Sequence, residues 1–143
     1  MKRAAPLLLL CGCVLEPLQW QEVGVYYLTF DHCFDVSKGV LENMGYPIEE
    51  ENREKGEIVT EWRIHKTGAA GQGQRSFVRV RLYTVEGGFV QIFVMGVRQK
   101  NENPSGPTSN PEMAHWGIEE NDPTVESWAK LRLQYQLKKE KRD

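Results

Sequence analysis

Two long alternating segments joined by a Gly-Gly turn constrain this chain more than anything else in it. Residues Ser76–Val85 alternate cleanly, with Val78, Val80 and Leu82 on one face and Phe77, Arg79, Arg81 and Tyr83 on the other. Glu86-Gly87-Gly88 follows, and Phe89–Arg98 then places Val90, Ile92 and Val94 on one face, with Gln91 on the other. Period-2 alternation around a glycine turn predicts a β-hairpin. An isolated hairpin is marginal in water, so its apolar face must be covered by the rest of the chain.

At 143 residues the chain has room for one domain with a single core. Its formal net charge is −2. That balance argues against nucleic acid as the main partner, because phosphate-binding domains carry a clear basic excess. There are three cysteines, and two of them, Cys11 and Cys13, fall in the N-terminal segment. Neither a disulfide framework nor a zinc pattern can be built from such a set.

The other elements follow in order. Val14–Glu22 reads as a tether and Val23–Phe30 as a first strand rich in β-branched and aromatic residues. Asp31–Met44 is expected to be a helix, capped by Asp31, with Cys33, Val36, Val40, Leu41 and Met44 on its apolar face and Gly39 offering close approach to the sheet. Gly45-Tyr46-Pro47 stops it. Tyr46–Glu51 reads as a short strand, Asn52–Gly56 as a polar turn, and Glu57–Ile64 as a strand with Ile58, Thr60, Trp62 and Ile64 on one face. His65–Arg75, with Gly68, Gly71 and Gly73, reads as a loop, and Asn101–Pro111 as a Pro/Ser/Asn linker. Trp116 is expected to lie over the domain edge. Asp122-Pro123 starts a closing helix, Pro123–Lys139, whose inward stripe is expected to be Val125, Trp128, Leu131 and Tyr135, broadened by Leu133 and Leu137. The expected fold is α+β, in the order β-α-β-β-β-β-α. An antiparallel sheet of about five strands would carry two helices packed on one face.

Met1-Lys2-Arg3 is basic, Ala4–Leu10 is apolar, and Leu10-Cys11-Gly12-Cys13 follows. The apolar run is too short for a membrane span, which needs roughly 20 residues. The pattern of basic start, apolar run and small residues is that of a secretory signal. It resembles a bacterial lipoprotein signal, whose Leu-x-Gly-Cys box is cut before a cysteine that then carries the lipids. The resemblance implies a signal peptide over residues 1–12 and lipidation at Cys13; beyond it the residues are expected to form a tether to residue 22, a single domain over 23–139 and a basic tail at 140–143. Such a cut takes the formal charge from −2 to −4.

Clusters that could carry chemistry have simpler readings. His32 and Cys33 are adjacent and point apart on a helix, and His65 and His115 lie far along the chain, so no metal site is expected. Cys33 on an apolar face reads as an inert thiol. Glu49-Glu50-Glu51 and Glu119-Glu120 read as solvated surface, and Gly68, Gly71 and Gly73 lack the Lys-Ser/Thr of a phosphate loop. No cofactor is expected. Phe77, Arg79, Arg81 and Tyr83 form the one candidate interaction surface, with Phe89 and Phe93 adding exposed aromatics. Arginine among aromatics on a sheet can bind nucleic acid, but it is also ordinary on the open face of a two-layer domain and suits a protein- or glycan-facing patch.

The run Tyr27–Trp62, through Leu41, Gly45, Tyr46, Asn52, Arg53, Gly56, Ile58, Thr60 and Trp62, resembles a pattern of small bacterial envelope lipoproteins and is similar in layout to the domains of BamC-type outer-membrane assembly lipoproteins. The resemblance implies a non-enzymatic structural or protein-binding module on the periplasmic side of the outer membrane. Its partners would be the membrane, through the lipid, and an envelope protein. The alternative is a soluble α+β domain binding a small molecule or peptide between helix and sheet.

Overall fold

A computed structural model describes residues 17–66, 73–102 and 115–141. The expected signal peptide with Cys11 and Cys13, most of the expected glycine loop and most of the Pro/Ser/Asn linker lie outside the described residues, as do Arg142 and Asp143. The chain runs β1 (Gln21–Tyr26), α1 (Phe30–Asn43), β2 (Ile48–Asn52), β3 (Glu57–Thr60), β4 (Arg63–Lys66), β5 (Gly73–Val85), β6 (Phe89–Lys100), β7 (Glu120–Asn121) and α2 (Pro123–Lys139). All strand pairings are antiparallel. The spatial order is β1-β6-β5-β3-β2, with β4 also on β5 and β7 also on β6. The fold is therefore α+β, with both helices packed on the sheet.

Among the described residues, seven strands fill the five positions expected across the sheet. β3 and β4 share one edge of β5, pairing with its Arg79–Arg81 and Gly73–Ser76 stretches respectively. They are the single expected strand Glu57–Ile64, broken at Glu61 and Trp62. β7 similarly extends the edge of β6 beyond β1. The hairpin itself is longer than its sequence signal, with Gln74–Val85 in register with Phe89–Lys100.

Local chemistry explains the ends of α1. Thr29, not Asp31, is the N-cap, and its hydroxyl accepts from the His32 N–H at 3.2 Å. Asp31 sits in the first turn and receives Arg53 instead. At the far end Tyr46 N–H donates to the Leu41 carbonyl and Gly45 N–H to that of Glu42, both at 3.0 Å, a complete Schellman closure with Gly45 at φ +90°. Tyr46 and Leu41 are both fully buried beneath it. α2 begins as expected, with Asp122 accepting from Val125 N–H at 3.2 Å and Pro123 in the first turn.

The core lies between the helices and one face of the sheet. Cys33, Phe34, Ser37, Val40 and Leu41 of α1 face it, as do Val78, Val80 and Leu82 of β5 and Val90, Ile92 and Val94 of β6. Two expectations are corrected here. α2 buries Val125, Ala129, Leu133 and Leu137, an i, i+4 stripe, whereas Trp128, Leu131 and Tyr135 point outward. The small Ala129 lets α2 sit close, and the close approach to the sheet occurs at Gly96. A Cβ there would stand 2.9 Å from the Asp122 carbonyl oxygen and 3.0 Å from Glu126 N. Gly39, by contrast, has nothing within 4 Å of where its Cβ would be.

β1 begins at Gln21, inside the expected tether. The preceding residues are held too: Gln19 exchanges hydrogen bonds with the Asn121 side chain, both at 2.9 Å. At residue 140, expected to begin a basic tail, Glu140 caps α2 and meets His32 Nε2 at 2.6 Å.

Candidate functional site

The face of the sheet away from the helices carries all four residues of the expected surface. Alternation puts Phe77, Arg79, Arg81 and Tyr83 outward on β5, and the register sets Val97, Met95, Phe93 and Gln91 of β6 beside them. Glu57, outward at the start of β3, pairs across to Arg81 in the ladder, and its carboxylate bridges the Arg79 and Arg81 guanidiniums. Burial acts to raise the Glu57 pKa, but the hydrogen bonds from Arg79 and Arg81 outweigh it and hold the carboxyl below its ordinary value.

Tryptophans from three separate segments close over this face. Trp20, immediately before β1, lies over the Arg81 guanidinium at 4.8 Å and the Arg79 guanidinium at 5.4 Å. Trp62, at the break between β3 and β4, packs on Phe77 with ring centroids 4.6 Å apart. Arg75 rests on the rings of both Trp62 (4.2 Å) and Trp116 (4.7 Å) and donates twice to the Gln99 side-chain oxygen, at 2.8 and 2.6 Å. Beneath this layer Met95 and Val97 are buried although they face away from the main core. Planar guanidiniums stacked on indoles hold such rings in place through cation–π attraction.

One part of the face stays open. Tyr83 and Phe93 meet edge to face at 5.8 Å, and with Trp20 and Arg81 they line a shallow hollow of about 150 Å³. Tyr83 is 43% exposed. Phe77 and Phe93 are half-buried, not free, because Trp62 and Tyr83 pack on them. Phe89, at the hairpin tip, is exposed and pairs with Tyr27 at 5.2 Å. The alternation predicts Trp62 and Ile64 on the same face as Ile58 and Thr60. The break after Thr60 turns Trp62 to the opposite face, and Ile64 is exposed. Trp20 belongs to the site although it lies in the expected tether, and Glu57 belongs to it through strand pairing.

A second polar cluster sits on the helix side. Ser76 Oγ lies 2.8 Å from Tyr46 Oη and 2.9 Å from His65 Nε2. The arrangement has the spacing of a hydroxyl and its base, but Ser76 is wholly buried and its oxygen is shared with Tyr46. The cluster ties β4 and β5 to the end of α1, a link reinforced by Arg63, which donates to the Met44 carbonyl at 3.0 Å. Burial first, then the Arg63 charge, pushes the His65 pKa down. Asp122, also buried, has one carboxylate oxygen on the helix cap and the other without a hydrogen-bond partner among the described residues.

The remaining sequence candidates are scattered. His32 turns to Glu140 while Cys33 is fully buried, with its thiol pushed up to about 11 by burial. Glu51 pairs with Lys38, and Glu120 with Arg98. Among the described residues no group of three His, Cys, Asp or Glu is placed to hold a metal ion, and no helix is long and apolar enough to cross a membrane. Fold and surface together define a two-layer α+β domain with an aromatic–arginine face. No protein-family model matches the chain, and a search of curated proteins finds no significant relative.

Proposed function

We propose that the protein is a lipid-anchored, non-enzymatic binding module of the bacterial cell envelope, held at the outer membrane on its periplasmic side through Cys13. It presents the open face of its sheet to an envelope protein. The observation that carries the binding role is the hollow of Trp20, Arg81, Tyr83 and Phe93. It combines the residue types enriched where protein interfaces concentrate their energy, aromatics and arginine, in one patch. The patch is also pre-organised: Glu57 and Trp20 fix the Arg81 side chain before any partner arrives, which lowers the ordering cost of binding. The anchor is supported by Leu10-Cys11-Gly12-Cys13 after a basic start and an apolar run. The likeness of the Tyr27–Trp62 run to envelope lipoproteins of BamC type supports the same compartment.

A photo-crosslinking residue at Tyr83 tests the binding role in cells. It should give one discrete adduct that disappears with Phe93→Ala and Arg81→Ala, while the same group at Glu54, on the exposed β2–β3 turn, gives none. Adducts of equal yield from both positions, or none from Tyr83, would remove the sheet face from the account.

A further inference from the structure

α2 carries two apolar stripes. The second, Trp128, Leu131 and Tyr135, recurs at i, i+3 and i+7, and at 100° per residue it lies nearly opposite the buried one. These side chains are 40%, 64% and 65% exposed, whereas scattered single exposure is the norm for large apolar residues. Between residues 127 and 139 there are four cations and no acid, in a chain of net charge −2. Arg132, Lys138 and Lys139 fall on the side of the exposed stripe, and among the described residues none of them makes a salt bridge within 4 Å, although Lys139 acts electrostatically on the adjacent Glu140. Lys139 lies over the Tyr135 ring at 4.6 Å.

Area and charge select the occupant. Three aromatic or aliphatic side chains exposed to this degree offer roughly 300 Å², well short of the ~800 Å² per partner of a stable protein interface. Shallow insertion of Trp, Leu and Tyr flanked by Lys and Arg is, however, how an amphipathic helix sits in a headgroup layer. Position agrees as well. Asn121 grips Gln19 beside the start of α2, and only four residue steps separate Cys13 from Pro17, a reach of at most about 15 Å.

We propose that this face of α2 rests on an anionic lipid bilayer, with Trp128, Leu131 and Tyr135 entering the headgroup region and Arg132, Lys138 and Lys139 meeting lipid phosphates. The proposal rests on the membrane-anchored reading only for what brings the bilayer close, and its test is run without the anchor. Full-length Cys13→Ser protein, unlipidated, is sedimented with vesicles of phosphatidylcholine plus phosphatidylglycerol and with phosphatidylcholine alone. Binding to the anionic vesicles should be at least roughly tenfold the stronger and should fall with added salt. It should drop about tenfold or more in Leu131→Glu and in Lys138→Glu/Lys139→Glu. Both alter exposed side chains, and an unchanged denaturation midpoint establishes that they fold. Arg81→Ala should bind vesicles like its parent. Equal binding to both vesicle types, no binding, or binding untouched by the α2 variants would overturn the proposal. So would a dimer abolished by Leu131→Glu, which assigns the face to a second copy. Failure of lipidation at Cys13, read separately by mass, leaves these outcomes unaltered.

Discussion

Gly56 joins the β2–β3 turn to the central strand, and Gly56→Ala measures how firmly. Its φ of +70° lies in the left-handed region, where an L side chain costs about 1–2 kcal/mol. A Cβ at this position would overlap the Leu82 carbonyl oxygen outright and come within 3.3 Å of the Phe30 ring. The oxygen belongs to the backbone of β5 and cannot rotate away. The turn and β5 must separate, which strains the 2.8 Å bond from Leu82 N–H to the Gly56 carbonyl, worth about 1 kcal/mol. With the overlap itself the expected loss is about 3–4 kcal/mol. At an m-value near 2 kcal/mol/M that lowers the urea midpoint by roughly 1.5–2 M. Gly39→Ala is the matched control: the site is helical and open, so the change should stabilise by about 1 kcal/mol. A Gly56→Ala midpoint close to that of the parent would refute the reasoning, because it would mean the turn is not seated on β5.

Three further outcomes are expected. Trp62→Ala should cost about 1–2 kcal/mol, below the ~3–5 kcal/mol of a core tryptophan, since Trp62 is half-buried and packs on Phe77 and Arg75 away from the main core; chemical denaturation checks this. The folded pKa of His65 lies below its unfolded value near 6.5, so the stability it contributes is complete above that value and is lost as pH falls through the depressed folded pKa. Stability curves from pH 8 to pH 5 should show this loss, and His65→Gln should flatten it. In a Cys11→Ser/Cys13→Ser background, Cys33 should resist alkylation at pH 8 and react only on unfolding, because it is fully buried and its thiol titrates at about 11; mass spectrometry after iodoacetamide reads it.

The elements were legible where one physical signal dominated. Alternation and the Gly87-Gly88 turn defined the hairpin, and Gly45 and Asp122-Pro123 set helix boundaries through their own backbone chemistry. The face of α2 was not legible, because 125-128-131-135 and 125-129-133-137 are both helical spacings. Packing selected the second through Ala129, which carries little hydrophobic signal of its own. The break at Glu61 and Trp62 was hidden because the alternation Ile58, Thr60, Trp62, Ile64 runs straight through it. Phe77, Arg79, Arg81 and Tyr83 could be placed together because one strand carries them. Trp20 and Glu57 reach the same surface from the residue before β1 and from β3, and neighbours distant in sequence leave no local mark. A signal for the interior cluster did exist: extending the β5 alternation one step back turns Ser76 inward.

Lipid attachment at Cys13 is tested most directly by the intact mass of the protein purified from membranes of a bacterial host, beside its Cys13→Ser variant. The account predicts a chain that has lost residues 1–12 and gained the mass of two or three acyl chains with their glycerol, and a variant that shows neither change. An unprocessed chain of full mass in the soluble fraction would contradict it.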